Sequence, residues 1–240
     1  DYPKINVDNL EEIGKLLNND KYDLIIVHGA GSFGHPIAEK FNLIDGLDES
    51  PEQKESIKEI RHQMKELNQI LCKIIESQGI KTKSIIPSES MRTRGARHIS
   101  KFPKKTFDKV ISEGNIPITF GDVTEDELQG INVLSGDVIM MELARIYKPA
   151  FSVFIMDYPG VMDSNPKLKN SKIIPLVDSK IIGELRQKTN MDGTTDVTGG
   201  LIGKLECALE ISKYSQCWIT NLDSLEMVLL GKPKGSKVLL

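Results

Sequence analysis

The sequence predicts an α/β protein: a three-layer αβα sandwich on an open, mainly parallel sheet. Three observations predict it. Short apolar runs rich in β-branched residues alternate with longer amphipathic runs. The short runs are near-continuously apolar rather than alternating, as in strands covered by helices on both faces. Glycine-bearing segments follow several of these runs, at the carboxyl ends of strands where open parallel sheets bind ligands.

The first amphipathic run, "VDNLEEIGKLLNN", carries Asp8 and, three residues later, Glu11, the spacing of a capping box that opens a helix at Asp8. "DLIIV" (23–27) predicts the first strand. A long helix is expected from about Pro51 to Gln78, because Ile57, Ile60, Met64, Leu67, Leu71 and Ile74 recur every three or four positions. Gly79 is placed to end it. Further strands are predicted at "KSIIP" (83–87), "IPITF" (116–120), "SVFIM" (152–156), "CWIT" (217–220) and "KVLL" (237–240), with a helix at 200–214. "RTRGARHISKFPKK" (92–105) is strongly basic and is read as a solvated surface loop or hairpin.

A chain of 240 residues is long enough for a sizeable core, and a single domain over 1–240 is expected. A net charge of −3 gives no general pull toward nucleic acid or anionic membrane. No apolar run approaches the ~20 residues of a membrane span. The opening "DYPKINVDNL" is polar and lacks a signal-peptide pattern, so a cytoplasmic protein is expected. Cys72, Cys207 and Cys217 form no metal-ligand spacing and are expected to be reduced.

The chemistry concentrates in "VHGAGSFGHP" (27–36), where three glycines and two histidines follow a strand. Alone, such a cluster is most simply a tight turn. It is not a Walker A loop, because no Gly-Lys-Ser/Thr follows. Gly29, Gly31 and Gly34 fit G-x-G-x-x-G, yet no acidic residue about twenty positions on sits at a strand end, so dinucleotide binding is poorly supported. His62 and His98 read as surface residues, and His28 as structural or functional with equal weight. Three more glycine segments stand at expected helix starts or strand ends: "TFGDV" (119–123), "LSGDVI" (134–139) with Ser135 as a cap, and "TDVTGGLIGK" (195–204) with Thr198 or Asp196 as a cap. Backbone N–H groups bared by glycine at a helix start form an anion site, and Lys204, one turn beyond Gly200, adds a point charge for a phosphate.

Taken in order, "VHGAGSFGHP", "FGDV", "SGD", "DVTGG…GK" and the closing "GSKVLL" resemble the amino acid kinase family over nearly the whole chain. The residue matching His35 is typical of the members whose acceptor is itself a phosphate or phosphonate. The resemblance implies direct in-line phosphoryl transfer from ATP, with Mg²⁺ carried by the nucleotide. Gly29, Ala30 and Gly31 would lie against the donor and acceptor phosphates. His35 would donate to the acceptor phosphate and Gly136 would contact it. Asp137 would orient catalytic lysines. Gly34, Asp157, Gly160, Gly200 and Lys204 would serve ATP. A homodimer paired through the long helix is implied as well.

Two departures stand out. The nucleotide segment reads "MDYPG" where relatives read Thr-Asp-Val-Asp-Gly: Met156, Tyr158 and Pro159 differ, while Asp157 and Gly160 match. The family's opening strand, Lys-x-Gly-Gly-Ser and second lysine have no counterpart after Asp1, so a segment of roughly two to three strand lengths is expected upstream. The resemblance implies isopentenyl phosphate, with its greasy tail, as the acceptor; a small polar phosphonate such as fosfomycin is the alternative. A non-catalytic nucleotide- or oxyanion-binding protein on the same fold is the alternative from another class.

Overall fold

A computed structural model describes residues 5–17, 23–191 and 200–240. The chain divides into two compact units, 1–139 and 140–240.

In the first unit, α1 (Val7–Leu17) starts one residue before the predicted cap. Asn6 Oδ1, not Asp8, accepts the Asn9 N–H at 3.1 Å, which makes Asn6 the helix cap and puts Asp8 inside the first turn. β1 (Ile26–His28) leads into a short 3₁₀ turn at Gly31–Phe33 and then α2 (His35–Lys40). The long helix α3 (Pro51–Ser77) forms as its periodicity predicts. Ser50 Oγ accepts the Gln53 N–H, Pro51 occupies the first helical position, and Gly79 follows the helix at φ +86°. Its buried stripe is Ile57, Ile60, Met64, Leu71 and Ile75, with the polar Asn68 on the same face.

β2 (Thr82–Ser84) is shorter than predicted because Pro87 opens the turn of helix α4 (Pro87–Ser90). The basic stretch becomes a hairpin of β3 (Arg92–Thr93) and β4 (Ile99–Lys101), followed by α5 (Lys104–Ser112). Arg92 pairs with Glu125 at 2.5 Å and Arg94 with Glu127 at 3.7 Å, so part of its charge is matched across the sheet. β5 (Ile116–Phe120) matches its prediction residue for residue. β6 (Asp122–Asp126) and β7 (Gly130–Leu134) form an antiparallel hairpin that the periodicity did not predict. Its buried carboxylate Asp126 holds the turn, accepting from Gly95 N, Leu128 N and Gln129 N.

One sheet of this unit runs β1-β5-β2, all parallel; the other runs β4-β3-β6-β7. α6 (Gly136–Tyr147) begins on the Ser135 cap, whose Oγ accepts the Val138 N–H at 3.3 Å, and crosses the unit boundary.

The second unit contains β8 (Phe151–Ile155), β9 (Leu176–Val177), α7 (Ser179–Met191), α8 (Gly200–Ile211), β10 (Gln216–Thr220), α9 (Leu225–Leu229) and β11 (Ser236–Val238). Its sheet runs β8-β10-β11-β9, with β10 and β11 antiparallel and the other pairs parallel. Phe154, Val161, Val177, Leu205, Ile211 and Ile219 fill its core. The fold is thus a mixed α/β architecture with mainly parallel pairing. The capping expected of Thr198 or Asp196 lies outside the described residues. The three cysteines are thiols rather than disulfides, and burial pushes the Cys217 thiol up to about 12. No helix among the described residues is long and apolar enough to cross a membrane.

Candidate active site

In the first unit the predicted acceptor residues meet around the carboxyl end of β1. The three parallel strands set this up by placing His28 opposite Phe120. His28 O accepts the Gly121 N–H at 3.1 Å, which carries the ladder one residue past β5. Gly136 packs against the same carbonyl: a Cβ there would lie 3.3 Å from His28 O and 3.2 Å from Val27 Cγ1. Gly29 and Gly136, far apart in sequence, therefore lie at one strand end. Asp137 is half-buried in the first turn of α6, directly after Gly136.

The loop itself is open on one side and packed on the other. A Cβ on Gly29 or Gly31 would meet nothing within 4 Å, and Gly31 adopts φ +49°, where glycine is favoured. Ala30 is half-buried beside them. Gly34 is buried: a Cβ there would lie 3.0 Å from Ala30 Cβ and 3.7 Å from both Ile60 and Met64. One face of the segment thus stays clear for a ligand while the other is fastened to α3. His35 is exposed at the start of α2. Beneath the loop lie the buried Leu43, Ile57, Ile60, Met64 and Phe120, with Phe33, Ile37 and Phe41 half-buried against them.

His28 is half-buried, and both of its ring nitrogens have partners. Its ring stacks on Phe120 with centroids 5.1 Å apart, and its nitrogens face Gly29 O and the Asn68 amide. Burial holds its pKa below the ordinary value, so the ring is neutral near pH 7. Asp122, just past Gly121, accepts from Ser88 N at 2.9 Å and Val123 N at 2.8 Å, and burial pushes its carboxyl up. His62 and His98 are exposed, and His62 lies 3.5 Å from Glu66 on the next turn of α3.

In the second unit the predicted nucleotide residues gather at the carboxyl end of β8. Lys204, one turn into α8, sets its ammonium over the Phe154 ring, 4.9 Å from the centroid. Gly200 is half-buried at the start of that helix. Asp157 is exposed just past β8, where Met156 N donates to Thr220 O at 2.8 Å. Gly160 has a packing duty: a Cβ would stand 2.7 Å from Ser236 Oγ and 2.8 Å from Ile173 Cγ2. Gly160→Ala is expected to destabilise the protein by about 1–3 kcal/mol through overpacking, read as a lower urea midpoint at unchanged slope.

Sequence reasoning passed over the end of β10. The buried Thr220 Oγ1 and Asn221 Oδ1 have no hydrogen-bond partner among the described residues. Such oxygens are costly unless water or a ligand satisfies them. Their only sequence signal is a polar pair directly after an apolar strand. Among the described residues no group of three or more His, Cys, Asp or Glu is arranged to hold a metal ion.

An open glycine cradle after a parallel strand and a lysine one turn into a helix define a class of phosphate-handling α/β proteins. The family model described as "Amino acid kinase family" matches residues 4–221, and the chain belongs to that family. It is similar to the isopentenyl phosphate kinase of Methanothermobacter thermautotrophicus, 32% identical over 98% of this chain and 92% of the relative. The isopentenyl phosphate kinase of Arabidopsis thaliana is 28% identical over 85% of this chain and 66% of its own. An X-ray structure of isopentenyl phosphate kinase superposes with TM-score 0.84 at 26% identity, covering 99% of this chain and 93% of that one.

Proposed function

We propose that the protein is an ATP-dependent kinase that transfers the γ-phosphoryl group of ATP directly to isopentenyl phosphate, giving isopentenyl diphosphate and ADP. The observation that carries the acceptor is the half-buried apolar surface beside the His35 loop, Phe33, Ile37 and Phe41, packed on the buried Ile57, Ile60 and Met64. A phosphate held by the loop would set its tail beside these half-buried side chains. Each buried CH₂ contributes about 0.8 kcal/mol, which favours an alkenyl tail over a small polar phosphonate. The similar isopentenyl phosphate kinases support the same reading.

The residues divide the work by charge. Gly29 and Gly136 leave room for the acceptor phosphate to approach backbone, and His35 donates a hydrogen bond to its oxygen. Ala30 and Gly31 offer backbone N–H groups toward the transferring phosphoryl group, with Gly34 fixing the loop. Lys204 and the start of α8 at Gly200 stabilise negative charge on the nucleotide phosphates. Asp157 and Gly160 shape the segment beside the nucleotide, and Asp137 orients lysines. These fixed donors offset the repulsion between two anions without solvent reorganisation. Mg²⁺, carried by the nucleotide, would neutralise part of the phosphate charge; the glycine cradle and Lys204 suit an anion so accompanied.

The test is steady-state kinetics with the full-length protein. The expected kcat/KM for isopentenyl phosphate exceeds that for fosfomycin by about a hundredfold or more. Comparable values would reject the tail assignment, and no Mg·ATP binding in calorimetry would reject the kinase. A cytoplasmic homodimer paired through α3 belongs to the same reading and rests on the family. Light scattering at micromolar concentration is expected to give twice the mass of one chain; a monomeric mass contradicts it.

A further inference from the structure

We infer that His28, held by Asn68, is a positioning residue that aims the Ala30 N–H at a bound phosphate. Four segments distant in sequence build the arrangement. His28 Nδ1 lies 3.0 Å from Gly29 O, and Nε2 lies 3.2 Å from Asn68 Oδ1. Asn68 is buried on α3, and its Nδ2 lies 2.5 Å from Ser84 Oγ of β2 and 3.8 Å from Cys72 Sγ. Phe120 of β5 stacks on the ring.

The proton positions follow from chemistry. A carbonyl oxygen only accepts, so Nδ1 must carry the proton for the 3.0 Å contact with Gly29 O. The ring is neutral, because burial disfavours its charged form, and Nε2 is therefore an acceptor. Oxygen and nitrogen of a side-chain amide exchange places by a half-turn, and partners decide the orientation. With Nε2 accepting, Asn68 donates to it and takes the Ser84 hydroxyl proton on its own oxygen. Each contact in the chain Ser84–Asn68–His28–Gly29 then pairs one donor with one acceptor.

A trans peptide links Gly29 and Ala30, since the chain has no cis bond among the described residues. Its C=O and N–H point in opposite directions. Fixing Gly29 O on the ring therefore turns the Ala30 N–H away from it, onto the loop that Gly29 and Gly31 keep clear. Without the ring, the permissive backbone of Gly29 lets this peptide swing away from the orientation that presents the Ala30 N–H to an anion. This inference rests on the kinase reading for the identity of the anion.

Its test uses His28→Phe, which keeps the stacked ring and deletes both nitrogens, Asn68→Leu, which deletes the amide, and the double variant. Expected are losses of about tenfold or more in kcat with isopentenyl phosphate. The KM for Mg·ATP should stay within about threefold, and the double variant should be no slower than His28→Phe, as for residues acting as one unit. Parental kcat in both single variants, whatever happens to their melting temperatures, would overturn the inference. Two further readouts need no turnover. The ¹⁵N spectrum of the parental histidines should place the His28 proton on Nδ1, and the Ala30 amide should shift on adding Mg·ATP with inorganic phosphate. If the parental protein does not phosphorylate isopentenyl phosphate, the kinase reading falls while these two readouts decide the positioning role. A proton on Nε2 alone, or an unmoved Ala30 amide, overturns it.

Discussion

Lys204→Ala is expected to lower kcat for isopentenyl phosphate by about 10²- to 10³-fold, the usual cost of removing one preorganised donor from a developing charge. The physical case begins with where the ammonium is held. Lys204 stands one turn into a twelve-residue helix, α8, with its Nζ over the Phe154 ring at 4.9 Å. The ring face attracts the cation without neutralising it, and the helix start adds partial positive charge. The lysine is thus pre-placed for a phosphate rather than swinging freely in water. Lys204→Arg should recover only part of the loss, because a planar fork on a longer stem does not place its charge where a compact ammonium does. Rapid-quench measurement of a single turnover separates the chemical step from product release. A parental single-turnover rate in Lys204→Ala would remove the lysine from the mechanism.

His35→Ala should lower turnover of isopentenyl phosphate by about ten- to a hundredfold, the cost of losing a hydrogen bond to a charged group. Mg·ATP affinity should stay within about threefold, because the histidine serves the acceptor. The exposed ring at the start of α2 carries little of the core, so melting temperature should barely move. His35→Gln retains a donor and should keep more activity than alanine. His62→Ala and His98→Ala, both at exposed positions, serve as controls and should leave kcat unchanged. Full activity in His35→Ala would make the residue structural and withdraw the main support for a phosphate acceptor. The kinase-family reading would stand.

The parts of this protein legible before folding are those governed by nearby residues. Ser50, Pro51 and Gly79 bound α3 through capping and backbone conformation, which act within one turn. β5 reads directly from "IPITF" because a buried parallel strand is apolar throughout. The cap at Asn6 shows the limit even here, since the capping-box spacing at Asp8 was real but the residue two positions upstream won. The β6–β7 hairpin was hidden by its acids: Asp122 and Asp126 look like surface residues until backbone N–H groups from other segments surround them.

The candidate site divides in the same way. Sequence alone determined the loop from Gly29 to His35, the Ser135 cap before Gly136, and Lys204 one turn past Gly200, because each is a run of neighbours whose backbone geometry is local. Tertiary structure alone decided that Gly136 closes on the His28 carbonyl, that Gly160 is needed for packing against Ser236, and that His28 meets Asn68, Ser84 and Phe120. Those contacts join segments tens of residues apart. They depend on which strand pairs with which, in what register, and on which face α3 turns inward. A shift of one residue in a strand would turn its side chains to the other face, so no local pattern specifies the meeting of His28 and Asn68. It exists only when β1, β2, β5 and α3 are packed together.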